Sequence, residues 1–222
     1  MFSGLHALAL IAIALTATLL AWYGRSRREE SVLVRLFGAL AILEWVVFHT
    51  WKATPPDLRP LDTLPLQMCH WTSLAAGVYL ATRWPGVRPL LYFWGLGLCT
   101  QALVTPVLEE GPRDPIFWHF WFSHGMIIVA AVYALVAERY HPSWRDYQIA
   151  CTAALFYAGA VLPVNIMIGS NYGFLGPSKP DLPTIVDFLG EWPMRLAAIA
   201  IIVATVMALL MLPWQHWRRH ES

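Results

Sequence analysis

Charge is scarce in this chain: 13% of its 222 residues are Asp, Glu, Lys or Arg, against 58% that are hydrophobic. A soluble domain carries about 25% charged residues, so an ordinary water-soluble fold is excluded. A mean hydropathy of +0.52 instead points to a protein whose solvent is lipid. No run of five or more Lys or Arg occurs and the formal net charge is +1. Nucleic acid, whose phosphates require clustered cations, is therefore set aside as a partner. Cysteine is equally sparse. The three present, Cys69, Cys99 and Cys151, are odd in number and lie inside apolar stretches, not in the loops where secreted scaffolds place their bridges, so no disulfide is expected. Repeats of fixed period and low-complexity tracts are also missing, which excludes a solenoid or a long tail.

What is present is a series of apolar runs, at about 4–23, 32–52, 65–82, 89–106, 116–138, 147–168 and 193–213. Each is close to the ~20 residues that cross a bilayer core. The expected fold is all-α: one transmembrane domain over 1–222, a polytopic bundle of seven helices. The third and fourth runs are the shortest and only Arg83 to Pro89 separates them, so a re-entrant pair is the alternative. Assigning the connections alternately puts Arg25, Arg27, Arg28, Arg35, Arg83, Arg88, Arg139, Arg145, Arg218 and Arg219 on one side, ten of the fifteen cations. Lys52, Arg59, Arg113, Lys179 and Arg195 fall on the other, with Asp57, Asp62, Glu109, Glu110, Asp114, Asp181, Asp187 and Glu191. By the positive-inside rule the N-terminus is outside and the C-terminus cytoplasmic. The first run has no positive n-region and is followed directly by Arg25, so it reads as a retained span. Trp22, Trp51, Trp84, Trp118, Trp144, Trp192 and Trp217 stand near span ends as interfacial anchors.

Polar side chains inside hydrocarbon are costly and mark functional sites. Counting 1.5 Å per residue from the nearest span end, Cys69, Gln101 and Asn165 lie about 6–8 Å deep, and His124 and Glu44 about 9–10 Å. All descend from the outer side, with His49, Gln67, His70, Thr72, Ser73, Thr105, His119 and Ser123 around them. One polar layer at one depth predicts a shared cavity opening outward. Glu44 needs a partner, and His49, His124 and Arg195 are the candidates. His49 and His119, close to span ends, read as interface residues, and Cys99 and Cys151 as small packing residues. The pair Gly95 and Gly97, inside a span and without a strand-turn-helix context, reads as a close helix contact and not as a nucleotide loop.

Cys69 differs by position. Pro65 suits a first helical turn, which places the thiol at the positive end of the helix dipole, where thiolate is favoured. A thiol there and an imidazole at matching depth, His124, are the minimum kit for nucleophilic catalysis: the thiolate attacks an acyl carbon and the imidazolium protonates the leaving oxygen. Glu44, Gln101 and Asn165 are the orienting or oxyanion-side groups, and His70, Ser123 and Asn171 complete the expected substrate surface.

The strings Leu64-Pro65-Leu66-Gln67-Met68-Cys69, Tyr92-Phe93-Trp94-Gly95, Gln101 to Pro106, Phe122-Ser123-His124-Gly125, Asn171-Tyr172 and Trp192-Pro193 occur in that order. Together they resemble the TMEM164 and bacterial YwaF family of integral membrane proteins, over about residues 40–213. The resemblance implies a lipid acyltransferase that moves a fatty acyl group from a phospholipid donor to a lysolipid acceptor, with membrane lipids as partners and the motif Cys and His at Cys69 and His124. It implies no cofactor or metal, and a multi-pass location in a bacterial inner membrane. The family pattern has an acidic residue after the Cys and often His two before it; here His70 and Gln67 stand at those positions. Two other readings compete. A transporter or ligand-binding protein would use the same layer without covalent chemistry, and its signs would be broken helices or an internal repeat. A zinc hydrolase of the ceramidase type would draw three nitrogens from His49, His70, His119 and His124. Same-helix zinc ligands usually lie at i, i+4, whereas His119 and His124 are five apart, so zinc is the less favoured.

Overall fold

The computed structural model describes residues 4–26, 31–59, 61, 63–106, 108, 110–177 and 185–215. Among them there is no strand, and seven principal helices follow one another. These are α1 (Gly4–Ser26), α2 (Val32–Lys52), α3 (Met68–Thr82), α4 (88–104), α5 (Pro115–Val136), α6 (Trp144–Ile168) and α7 (Arg195–Leu209). Of the residues on which the charge count and the aromatic belts rest, Arg27, Arg28, Asp62, Glu109, Lys179, Asp181, Trp217, Arg218 and Arg219 lie outside the described residues.

Local chemistry sets the boundaries. Ser31 caps α2 by accepting from the Val34 N–H, and Asp114 caps α5 in the same way from Ile116, with Pro115 in the first turn. The capping box of Ser143 and Asp146 opens α6, and Gly169, at φ +71°, closes it in the left-handed conformation that costs glycine little. The third and fourth runs are two separate helices joined by a short turn at 83–87. α4 is continuous, but its middle, Leu91–Cys99, is wound as a π-helix.

Among the described residues, five helices are long and apolar enough to cross a bilayer: α1, α2, α5, α6 and the stretch Arg195–Gln215 that contains α7. α3 and α4 are shorter and sit at the centre with α5. The apolar stretch of α5 is 67% buried within the protein, against 11–22% for the other four long helices. α2 packs on α3, α1 on α5, and α6 and α7 against α4. The outer helices turn Leu8, Leu15, Leu40, Leu155, Phe156, Met167 and Ile201 outward, exposed, as lipid-facing surfaces are.

Without a hydrophobic drive between helices in lipid, close backbone approach supplies the packing. A Cβ on Gly38 of α2 would lie 2.3 Å from the Ala81 nitrogen and 2.7 Å from the Gly77 carbonyl oxygen, so α2 and α3 meet backbone to backbone. Gly95 and Gly97 do the same service with side chains: a Cβ there would meet Ile127 of α5 at 2.8 Å and Leu210 at 3.0 Å, which bears out the helix-contact reading.

The end of the bundle away from Cys69 is tied by Glu138. It accepts a hydrogen bond from the Tyr79 hydroxyl at 2.6 Å and pairs with Arg88, while the Arg83 Nε stands 3.8 Å away. Arg83 also lies over the Tyr133 ring, 4.2 Å from its centroid. Three segments, α3, α4 and the end of α5, are thus joined by one carboxylate.

Candidate functional site

α3 begins later than the span reading expects. Pro65 does not occupy its first turn, because the backbone before it is drawn elsewhere. The Leu64 N–H donates to the Tyr172 hydroxyl at 2.9 Å, the Tyr157 hydroxyl donates to the Leu66 carbonyl at 2.7 Å, and the Gly173 N–H donates to the Gln67 side-chain oxygen at 3.0 Å. Gln67 is then an extended N-cap without a side-chain cap bond. Cys69 becomes the second residue of the helix, closer to its N-terminus than predicted, and all three cysteines are free thiols.

The loop that holds this start is itself organised by a residue expected to serve substrate. Asn165 is fully buried; its amide donates to the Tyr172 carbonyl at 2.9 Å, and its oxygen accepts from the Tyr172 N–H at 2.9 Å and the Ser170 hydroxyl at 2.8 Å. Asn171 closes a turn by accepting from the Gly176 N–H at 2.9 Å. Arg195, expected as a Glu44 partner, is buried and donates to the Gly176 carbonyl. All three bond the backbone of the loop 169–176. Gln101 is exposed on α4, and no side-chain hydrogen bond holds it among the described residues.

The remaining polar residues gather where α2, α3 and α5 end together. Glu44 does have a partner, and it is His119, whose Nδ1 lies 2.6 Å from the carboxylate. His49 donates its Nδ1–H to the Trp45 carbonyl at 2.8 Å, and the Trp45 indole donates to the His70 carbonyl at 2.8 Å, which locks α2 onto the first turn of α3. Phe48 stacks flat on His119, the ring centroids 3.5 Å apart at an interplanar angle of 3°. His49 and His119, read from sequence as interface residues, are in fact buried, and their rings approach His70 to 4.6 Å and 6.3 Å between centroids. His124 is buried one turn deeper on α5. Its Nδ1 donates to the Phe120 carbonyl at 2.8 Å, and the Ser123 hydroxyl is 3.5 Å from the same nitrogen. No hydrogen bond joins Cys69 to His124 among the described residues. Two open surface hollows lie at Glu110 to Pro115, at the start of α5, and along Thr152 to Ala160 of α6.

Sequence reasoning missed Trp45, Phe48 and the Tyr157–Tyr172 pair, all of which position the site. The signal for Tyr172 was available: Asn171-Tyr172 and Leu64 to Cys69 belong to the same set of strings and are in contact in the structure.

Long helices with apolar outer faces around a small, polar-ended core define a multi-pass helical membrane protein. The chain belongs to the TMEM164 family, which it matches over residues 1–211. An uncharacterized protein of Treponema pallidum (strain Nichols) is 24% identical over 228 residues, covering 98% of this chain and 92% of that relative. No solved structure matches the chain.

Proposed function

We propose that the chain is a seven-span membrane enzyme that transfers or hydrolyses lipid acyl groups, with Cys69 as nucleophile and His124 as its base. The observation that carries this reading is the position of Cys69. It lies in the first turn of a helix whose early N–H groups have no side-chain cap, where orphan donors and the helix dipole favour the oxyanion that follows acyl attack. Because His124 gives its Nδ1–H to Phe120, Nε2 is the atom left to take a proton. Its approach to the thiol would tighten on substrate binding, as catalytic contacts in ligand-free enzymes commonly do. Glu44, His70 and Ser123 complete the polar surface on that side, and membrane lipids supply the acyl donor and a lysolipid or water the acceptor.

A thioester is the intermediate, and neutral hydroxylamine attacks a thioester far faster than an oxygen ester. Protein incubated with an acyl-labelled phospholipid should carry label that hydroxylamine removes and that Cys69→Ala never acquires. Label retained in Cys69→Ala on Cys99 or Cys151 would indicate ordinary palmitoylation and overturn the reading.

The reading also places the N-terminus outside and the C-terminus in the cytoplasm of a bacterial inner membrane, on the ten-to-five division of cations. Single cysteines introduced at Ser178 and Ser222, in a background without the native thiols, should report it. An impermeant maleimide should label the first in intact cells and the second only after lysis; the reverse pattern would invert the orientation.

A further inference from the structure

We infer that His49, His70 and His119 form a binding site for a divalent transition metal ion of the zinc class, held between α2, α3 and α5 with one coordination position left open. The inference goes beyond the acyl chemistry, since neither the thiol nor a lipid enters it.

Each histidine comes from a different helix and offers one ring nitrogen, and the three nitrogens lie within 4.8 Å of one another. Three buried ring nitrogens have no hydrogen-bond partner: His49 Nε2, His70 Nδ1 and His119 Nε2. In two of the rings the opposite nitrogen is already committed. His49 Nδ1 faces the Trp45 carbonyl and His119 Nδ1 the Glu44 carboxylate. Both oxygens only accept, so in the neutral rings Nδ1 carries the proton and Nε2 presents a bare lone pair.

With the His70 ring proton on Nε2, lone pairs converge from three helices, and one cation answers all three. The pattern is also how metal-bound histidines are held: the second ring N–H donates to a carboxylate or a backbone carbonyl, which fixes ring orientation and raises the basicity of the ligand. Stacking of Phe48 on His119 and the Trp45 bond to the His70 carbonyl hold the rings further.

A tetrahedral zinc with nitrogens at ~2.0–2.1 Å has its ligands about 3.3 Å apart. The three side chains therefore need to close by at most about 1.5 Å, within reach of small χ rotations. Imidazole ligands select zinc, copper, iron or nickel over magnesium and calcium. Three protein nitrogens leave a fourth position for water or a ligand oxygen, the arrangement of a catalytic and not of a closed structural site. His124, whose Nδ1 is bound to Phe120, lies outside the set.

The test uses the full chain in detergent, stripped with a chelator and titrated with Zn²⁺ or Co²⁺. One equivalent of either ion should bind per chain, and Co²⁺ should give the intense visible bands of a four- or five-coordinate nitrogen site. Zn²⁺ should raise the thermal midpoint of the native chain and a chelator should reverse the rise. This readout needs no variant. His49→Asn, His70→Asn and His119→Asn should each abolish the cobalt bands, Glu44→Gln should weaken binding by about 10–100-fold, and the exposed His141→Asn should change nothing. Absence of bound metal in folded native chain overturns the inference, as does a triple Asn variant that binds with unchanged stoichiometry and spectrum. Acyl labelling of Cys69 is scored separately, so failure of one reading does not imply failure of the other.

Discussion

Cys69→Ala should lose acyl transfer or hydrolysis by at least about 10³-fold, and His124→Ala by a comparable factor, since a positioned base contributes about 10²–10⁴. The informative result is the double variant. Residues that act as one unit fail together, so Cys69→Ala/His124→Ala should be no slower than the worse single variant. The check is steady-state turnover of a labelled phospholipid by purified protein in mixed micelles, with each variant confirmed folded. Losses that multiply would mean that the two residues act independently and that another group takes the proton from the thiol. Full activity in Cys69→Ala would eliminate the nucleophile.

Glu138→Ala should have the largest effect on stability. The carboxylate joins Tyr79, Arg83 and Arg88, with only 20% of its side chain exposed. Removing it leaves two guanidinium groups facing one another without a counter-ion. Breaking a buried pair by deleting one partner costs about 3–5 kcal/mol, and the partial exposure here puts the expectation near the lower figure. For a chain of this size about 3 kcal/mol corresponds to a fall of roughly 6–12 °C in thermal midpoint. Glu138→Gln should fall less, because the amide oxygen still accepts from Tyr79. A midpoint for Glu138→Ala within about 1 °C of the native chain would show that the cluster contributes nothing measurable, as many exposed ion pairs do.

Hydropathy located the helices well where length and greasiness decide the matter. The runs 32–52 and 147–168 correspond closely to Val32–Lys52 and Trp144–Ile168. It located α3 less well, because Leu64 to Leu66 are apolar enough to extend the run while their backbone is claimed by Tyr157 and Tyr172, and the Gln67 side chain by Gly173, all distant in sequence. Nothing in Leu91 to Cys99 announces a π-helix. The site was legible in depth but not in azimuth. Counting from span ends brings His49, His70, His119 and Glu44 into the outer part of their spans, yet whether a side chain faces lipid or a neighbour depends on helix rotation, which packing sets. His49 and His119 were therefore read as interfacial, and Glu44 was offered every partner except the one it has. The zinc reading suffered from the same limit: sequence spacing tests ligand pairs on one helix, and here each histidine comes from a different one. Asn165 and Asn171 bond the loop backbone, and sequence alone does not tell a buried amide that serves a backbone from one that serves a substrate.

The brevity of the two central helices fixes the vertical position of that chemistry. At 1.5 Å per residue α3 is about 22 Å long and α4 about 25 Å, against a hydrocarbon core of ~30 Å. A short helix facing lipid can draw the bilayer thinner around itself; α3 and α4 are enclosed by longer neighbours and have no such recourse. The missing height must be made up by protein, and at the Cys69 end it is filled by the irregular backbone of 63–67 and 170–176, admissible at that level because other parts of the chain surround it. The first turn of α3 is thus the floor of a plugged well. A membrane that thickens or thins deforms at the rim, on α1, α2, α6 and α7, and leaves the floor where it was. On the acyl-transfer reading proposed above, the lipid ester would have to descend to the thiol, since the thiol does not rise to meet it.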